Sequence, residues 1–185
     1  VPVRDSVAEA GLRNGASLHY YFGSKDGLIR ALVIDGARHS DTARHEALDE
    51  MERAGGPGDV LDITRLLVDV ETAPRGPALP HGFGHMRFIV ALQIHHRHLM
   101  HEALEGHRNT GYLRCLGHLR RLLPEVPREI LNQRFIFMYI TLTTALAARE
   151  AAFESDPTGG KLWSSPEALK NLAQTLAAGL KAPWA

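Results

Sequence analysis

Apolar residues recur along this chain at helical rather than alternating spacing, and prolines and glycines mark off the intervals between them. Ser24 is a cap residue ahead of Leu28, Ile29, Leu32, Val33 and Ala37, which share one helix face, so the pattern predicts a long helix running to about Met51. Gly55-Gly56-Pro57-Gly58 ends it. Asp59 caps the next helix, whose Val60, Ile63, Leu67 and Val70 form an apolar stripe. Three prolines and three glycines between Ala73 and Gly84 predict a surface loop. Helical pattern returns from Met86 to about Gly106 and again from Thr110 to Leu123, after which a corner at Pro124-Glu125-Val126-Pro127 places Pro127 in the first turn of a further helix. Phe135 to Thr144 has strand propensity. Ala145 to Glu154 then continues in Ala, Arg and Glu without a turn signal, so Pro127 to Phe153 reads as one long buried helix. Beyond a loop at Asp156 to Gly160, Ser165 and Pro166 open a final helix, Ala168 to Leu180. No alternating strand is found, and the expected fold class is all-α.

Composition narrows the function classes. With 185 residues, 44% of them apolar and 23% charged, the chain fits one globular domain, or one plus a small module, and not a disordered or fibrous protein. Twenty-one Lys and Arg against 21 Asp and Glu leave no net charge, so bulk basicity offers no argument for nucleic acid and a DNA-binding reading has to come from a motif. The single cysteine, Cys115, cannot form an intrachain disulfide; a cytoplasmic protein is the simplest reading, with Cys115 a small buried hydrophobe. The longest uncharged run, between Arg134 and Arg149, falls short of the ~18 residues of a bilayer span, so no membrane helix is expected. Arg4, Asp5 and Glu9 interrupt any secretory apolar core.

The informative motif lies in residues 3–25. It reads as a short helix, a turn at Gly11, a second short helix from Asn14, and a break at Gly23 before the long helix, which is a helix-turn-helix outline. Ala10 is small where two helices cross, Gly11 permits the sharp turn, and Leu12, Leu18 and Phe22 face inward. Gly15, Ala16 and Ser17 are small enough for the backbone to approach a groove floor, and Asn14 and Ser17 offer hydrogen bonds to base edges. His19, Tyr20 and Tyr21 can donate to phosphates, contacts that fix register rather than sequence. Lys25 places a cation in the first turn of a helix, where the dipole disfavours it; either Asp26 or a phosphate bound at the free amides answers that. Residues 1–34 carry a net charge of only +1, so the reading rests on placed donors.

These residues resemble the signature of TetR-family transcriptional regulators: Ala10-Gly11, Ser17-Leu18, His19-Tyr20-Tyr21-Phe22 and Lys25, followed by Gly27-Leu28. His19 stands where Tyr is usual, Tyr21 where His is usual, Ser6 where a large aliphatic is usual, and Arg13-Asn14 lengthen the turn by one residue. The resemblance covers roughly the first 45 residues. It implies a helix-turn-helix domain over 1–45, with its first helix preceding Val1, and an effector-binding and dimerisation domain over 46–185. It also implies DNA contacts by Arg13, Asn14, Gly15, Ala16, Ser17, His19, Tyr20, Tyr21 and Lys25, a palindromic double-stranded operator, a small-molecule effector, and a homodimer through the last two helices. Ala145, Ala148, Ala152, Ala173 and Ala177 would allow close approach across that two-fold axis, or else pack within the chain.

The remaining chain holds softer signals. Eight of the 11 histidines lie from His81 to His118, and His95, His98 and His101 step by three along one expected helix. His101-Glu102-Ala103-Leu104-Glu105 lacks the second His of a zinc-protease motif, and no metal site is assigned. Arg87, Arg97, Arg108, Arg114, Arg120 and Arg121 against Glu102 and Glu105 make this middle region net +4, which favours an anionic effector or simply an exposed face. Met86, Ile89, His95, Leu99, Phe135, Met138 and Tyr139, with Phe88, Leu92 and Met100 nearby, are candidates to line a ligand pocket, Tyr139 and His95 being its polar groups. No Ser/His/Asp triad, phosphate loop or carboxylate pair supports an enzyme, and no cofactor is implied. The sequence therefore points to a ligand-responsive repressor; an all-α small-molecule- or metal-binding protein with a vestigial helix-turn-helix is the alternative.

Overall fold

The computed structural model describes residues 22–73, 84–105 and 109–184. Among these residues there are eight helices and no strand: α1 (Lys25–Arg53), α2 (Val60–Thr72), α3 (His85–His95), α4 (Arg97–Leu104), α5 (Thr110–Leu122), α6 (Arg128–Ser155), α7 (Gly160–Trp163) and α8 (Ala168–Lys181). The all-α class follows directly.

Local chemistry explains the ends of the first two helices. At the start of α1 the chain turns through Gly23 at φ +68°, and Ser24 Oγ accepts from the Gly27 amide at 3.0 Å. Gly27 is needed there, because the Phe22 carbonyl occupies the space a Cβ would fill. Phe22, expected to face inward, is 38% exposed; its carbonyl instead receives the Ser24 amide at 2.7 Å as the chain bends into α1. Gly55 and Gly56, both at positive φ, close the far end, and the Gly56 amide returns to the Met51 carbonyl at 2.9 Å. Asp59 opens α2 in a capping box: its Oδ1 accepts from Leu61 N at 2.6 Å and Asp62 N at 3.2 Å, while Asp62 Oδ2 accepts from Asp59 N at 3.2 Å.

Neither α3 nor α5 has a side-chain cap from its own segment. Each is capped by an acid from a distant helix. Glu150 of α6 accepts from Met86 N and Arg87 N, both at 3.0 Å, and Asp41 of α1 accepts from Gly111 N at 2.6 Å and Thr110 Oγ1 at 3.0 Å. Such tertiary caps fix the helix start and its docking together.

The helix expected over 86–106 is two helices. At His96 (φ −141°, ψ 41°) the backbone leaves the helical region between α3 and α4. The break serves packing, since α3 lies along α6 while α4 turns to meet α1. His95 thus ends one helix and His98 and His101 belong to the next, so the three form no continuous ridge. Pro127 sits one residue ahead of its helix as the N-cap; the short α7 follows the loop read at Asp156 to Gly160, and Glu167, rather than Ser165, is the N-cap of α8.

Two apolar clusters hold the helices. The larger joins Leu48 of α1 to α2, α5, α6 and α8, with Ile63, Leu67, Leu119, Leu142 and Leu180 among its most enclosed members. The smaller pins the start of α1 to α3 and α4 through Ile29, Val33, Leu92, Leu99 and Ala103. Thr64 ties α2 to α8 by donating to the Ala173 carbonyl at 2.9 Å inside the core. Ala173 and Ala177 are buried within the chain, the intrachain one of the two packings their spacing allows; α8 packs them against α2 and α6. Ala148 is exposed and Ala145 and Ala152 are half-buried. Helix α6 is long and apolar enough, by length and composition, to cross a membrane, contrary to the reading from its uncharged run. In the fold one of its faces supplies Leu131, Phe135, Met138, Leu142 and Leu146 to the core, while Ile136, Phe137 and Ile140 remain exposed.

Candidate functional site

Two adjoining cavities lie between α1, α3, α4, α5 and α6. The first, about 500 Å³, is walled by Val33, Gly36, Ser40 and Arg44 of α1, Met86 and Ile89 of α3, and Leu142 and Thr143 of α6. The second, about 520 Å³, is bounded by Gln93, Arg97, Arg120, Phe135, Ile136 and Ile140. Met100, His101, Tyr112 and Tyr139 line both. The two tyrosine rings stand 5.8 Å apart at 59°, forming the partition between the lobes.

Helix α1 contributes through residues four apart. Gly36 lets the His85 ring occupy the place of a side chain. One turn on, Ser40 Oγ donates to Glu71 Oε2 at 3.1 Å, and one turn further Arg44 forms an ion pair with Glu71. Arg44 and Glu71 side chains are 10% and 6% exposed, so this pair crosses the wall largely out of water. The Arg44 guanidinium also lies over the Tyr112 ring, 5.6 Å from its centre. Burial pushes the Tyr112 hydroxyl up, with Tyr139 adding to the rise and Arg44 opposing it. Burial likewise raises Tyr139. Both phenols therefore stay protonated, and both residues line the cavities.

A second polar network holds α5 against α1 on the outside of this region. Gly111 makes the contact possible: a Cβ there would lie 2.9 Å from the Asp41 carbonyl and 3.0 Å from the Arg44 Cβ. Farther along, Arg114 bonds Glu52 through Nη2 at 2.7 Å and reaches Asp49 at 2.7 Å, while His118 Nε2 lies 2.7 Å from Glu52. The Arg114 hydrogen bond, followed by that of His118, holds the Glu52 carboxyl down at about 2.

Of the residues expected at a ligand pocket, Met86 and Ile89 line the first lobe, Phe135 the second and Tyr139 both. His95, Leu99 and Met138 line neither: His95 is exposed, Leu99 belongs to the α1/α4 cluster and Met138 to the main core. Sequence reasoning missed Arg44, Glu71 and Tyr112. A signal for Arg44 was present, since Ser40 and Arg44 continue the apolar face of Ile29 and Val33 before Leu48 restores it, and a polar interruption of a buried stripe marks a wall rather than a core.

Lys25 is the first residue of α1 and is exposed. Arg13, Asn14, Gly15, Ala16, Ser17, His19, Tyr20 and Tyr21 lie outside the described residues, as does Leu18. The expected domain boundary at residue 45 falls inside α1, which runs through it unbroken. Cys115 is fully buried, and burial pushes its thiol up to about 11. Among the described residues no group of three His, Cys, Asp or Glu side chains is placed to hold a metal ion. No family model matches the chain, and no curated protein matches it significantly.

Proposed function

We propose that this protein is a ligand-responsive transcriptional regulator of the TetR type that represses from a palindromic operator as a homodimer. The observation that carries the reading is α1 itself. The sequence of residues 3–25 that resembles a helix-turn-helix leads directly into it, and the same helix, 19 residues on from Lys25 at Arg44, is part of a cavity wall. One rigid element thus joins the residues expected on DNA to the residues that would sense a ligand. In this reading the helix from Gly15 to Tyr21 enters a major groove, with half-sites about one duplex turn apart, ~34 Å in the simplest case.

The effector acts by differential affinity. A ligand that separates Tyr112 from Tyr139, or displaces Arg44 from Glu71, favours a different seating of α1 against α4 and α5, and operator affinity falls by linkage. Dimerisation through the last two long helices is supported by the exposed row Phe137, Thr141, Thr144 and Ala148 on α6 and by exposed Asn171, Gln174 and Ala178 on α8.

Selection from random double-stranded DNA by the full-length protein tests the reading. Enrichment of a palindrome supports it; recovery of no sequence overturns it in favour of a small-molecule-binding protein with a vestigial motif, which would share the cavities but not the DNA.

A further inference from the structure

We infer that the two lobes together take an elongated monoanion, a carboxylate on an apolar body, with its charged end at Arg97 and Arg120 and its body passing Tyr112 and Tyr139 into the first lobe. The inference rests on the ligand-responsive reading only for its regulatory consequence; the binding chemistry comes from the walls.

Charge is distributed unevenly between the lobes. In the first, the cation Arg44 is already neutralised by Glu71, and the rest of the wall is dominated by Val33, Met86, Ile89 and Leu142. The second lobe holds two arginines and no carboxylate. Arg97 Nε points to His101 Nε2 at 3.3 Å, and Arg120 meets Asn132 Oδ1 at 3.3 Å with its guanidinium 5.0 Å above the Phe135 ring centre. Among the described residues neither forms an ion pair with an acid, although the chain has as many acids as bases. Guanidinium groups held at an apolar mouth without a counter-charge are complementary to a planar anion.

A second observation concerns hydrogen bonds. Gln93 lies on the wall of the second lobe, and among the described residues its buried Nε2 has no hydrogen-bond partner. The Nε of Arg44, the other buried side-chain polar atom without a partner among the described residues, lies on the wall of the first lobe and plays no part in recognising the charged end. Gln93 Nε2 is a donor. A buried donor left unpaired costs about 1 to 3 kcal/mol in general, and a ligand that brings acceptor oxygens relieves it. An amine or a polycation offers neither the charge nor the acceptors. The lobes share Met100, His101, Tyr112 and Tyr139 in their linings, so one ligand that parts the two tyrosine rings reaches both, and an apolar body is what their remaining walls accept.

The test compares decanoate, decanol and decylamine, three probes with one apolar body and different heads, by calorimetric titration of the full chain with no DNA present. Decanoate is expected to bind about tenfold more tightly than either of the others, and Arg97→Gln with Arg120→Gln are expected to remove that preference by weakening decanoate more than decanol. Equal binding of the three probes, a preference for decylamine, absence of binding by all three, or a preference that survives the double substitution would overturn the assignment. Operator release is measured separately: decanoate that binds without displacing DNA sinks the regulator reading alone, while a selected palindrome with no decanoate preference sinks the ligand class alone.

Discussion

Glu150 receives the main-chain amide of Met86 at 3.0 Å across the interior of the protein, its carboxylate standing where α3 would otherwise leave its first donors unpaired. The glutamate is 6% exposed and also takes the Arg87 amide, so the capping group and the docking group of α3 on α6 are the same side chain. Replacing it strands two amides at a buried helix end. Glu150→Ala is expected to destabilise the fold by about 2 kcal/mol, which corresponds to a loss of about 6 °C in melting temperature, and Glu150→Gln by less because its amide oxygen can still accept. Thermal melts of the two variants beside the parent check the ordering, and equal losses would contradict the capping role.

Gly111 and Gly117 lie on the same helix and should respond with opposite signs. A methyl group at 111 lies 2.9 Å from the Asp41 carbonyl and carboxylate, so Gly111→Ala has to push α5 away from α1 and is expected to cost about 1 to 3 kcal/mol. At 117 nothing lies within 4 Å, so Gly117→Ala is expected to stabilise the helix by up to about 1 kcal/mol. Denaturant titrations of the pair test the close approach directly.

Arg44 and Glu71 invite a double-substitution cycle. Removing the guanidinium alone, as in Arg44→Met, leaves a carboxylate that is 6% exposed without its cation, and a loss of about 3 kcal/mol is expected. Adding Glu71→Gln should restore a large part of it, because the uncompensated charge is gone. Strict additivity of the two losses in equilibrium unfolding would show that the pair is not coupled.

Glu52 sets an acid-sensitive contribution. Its carboxyl is lowered from 4.5 to about 2, first by the Arg114 hydrogen bond and then by that of His118. A carboxylate with a folded pKa below its unfolded one stabilises the fold fully above the unfolded value, and that contribution disappears as pH falls through the folded one. The parent should therefore melt higher than Glu52→Gln at pH of about 6, and the difference should shrink between about 4.5 and 2. High salt should reduce it throughout, since Glu52 lies near the surface. A difference that persists at pH of about 2 would refute the assignment.

The helical punctuation of this chain was legible because it is local. Ser24, Asp59 and the Gly55-Gly56 pair act on backbone groups within a few residues, and their hydrogen bonds stand where the residue types indicate. The caps of α3 and α5 were not legible, since Glu150 acts 64 residues from Met86 and Asp41 70 residues from Gly111. The break at His96 escaped notice for a related reason: no Gly or Pro marks it, and only the different partners of α3 and α4 require it. In the cavity, Met86, Ile89, Phe135 and Tyr139 were reachable from apolar pattern and residue type. His95, Leu99 and Met138 share those types but face elsewhere, because periodicity fixes a helix face and not what that face meets. Arg44 and Glu71 come from α1 and α2, and only the fold brings them together.

The 29 residues of α1 make it a stiff arm with a built-in mechanical advantage. At ~1.5 Å per residue the arm extends ~28 Å from Arg44 to Lys25, so a tilt of roughly 5° pivoting at the cavity wall swings the Lys25 end through ~2.5 Å. Molecular events at the Arg44–Glu71 pair need only be small to be large at the other end, and a helix interrupted near residue 45 would dissipate them.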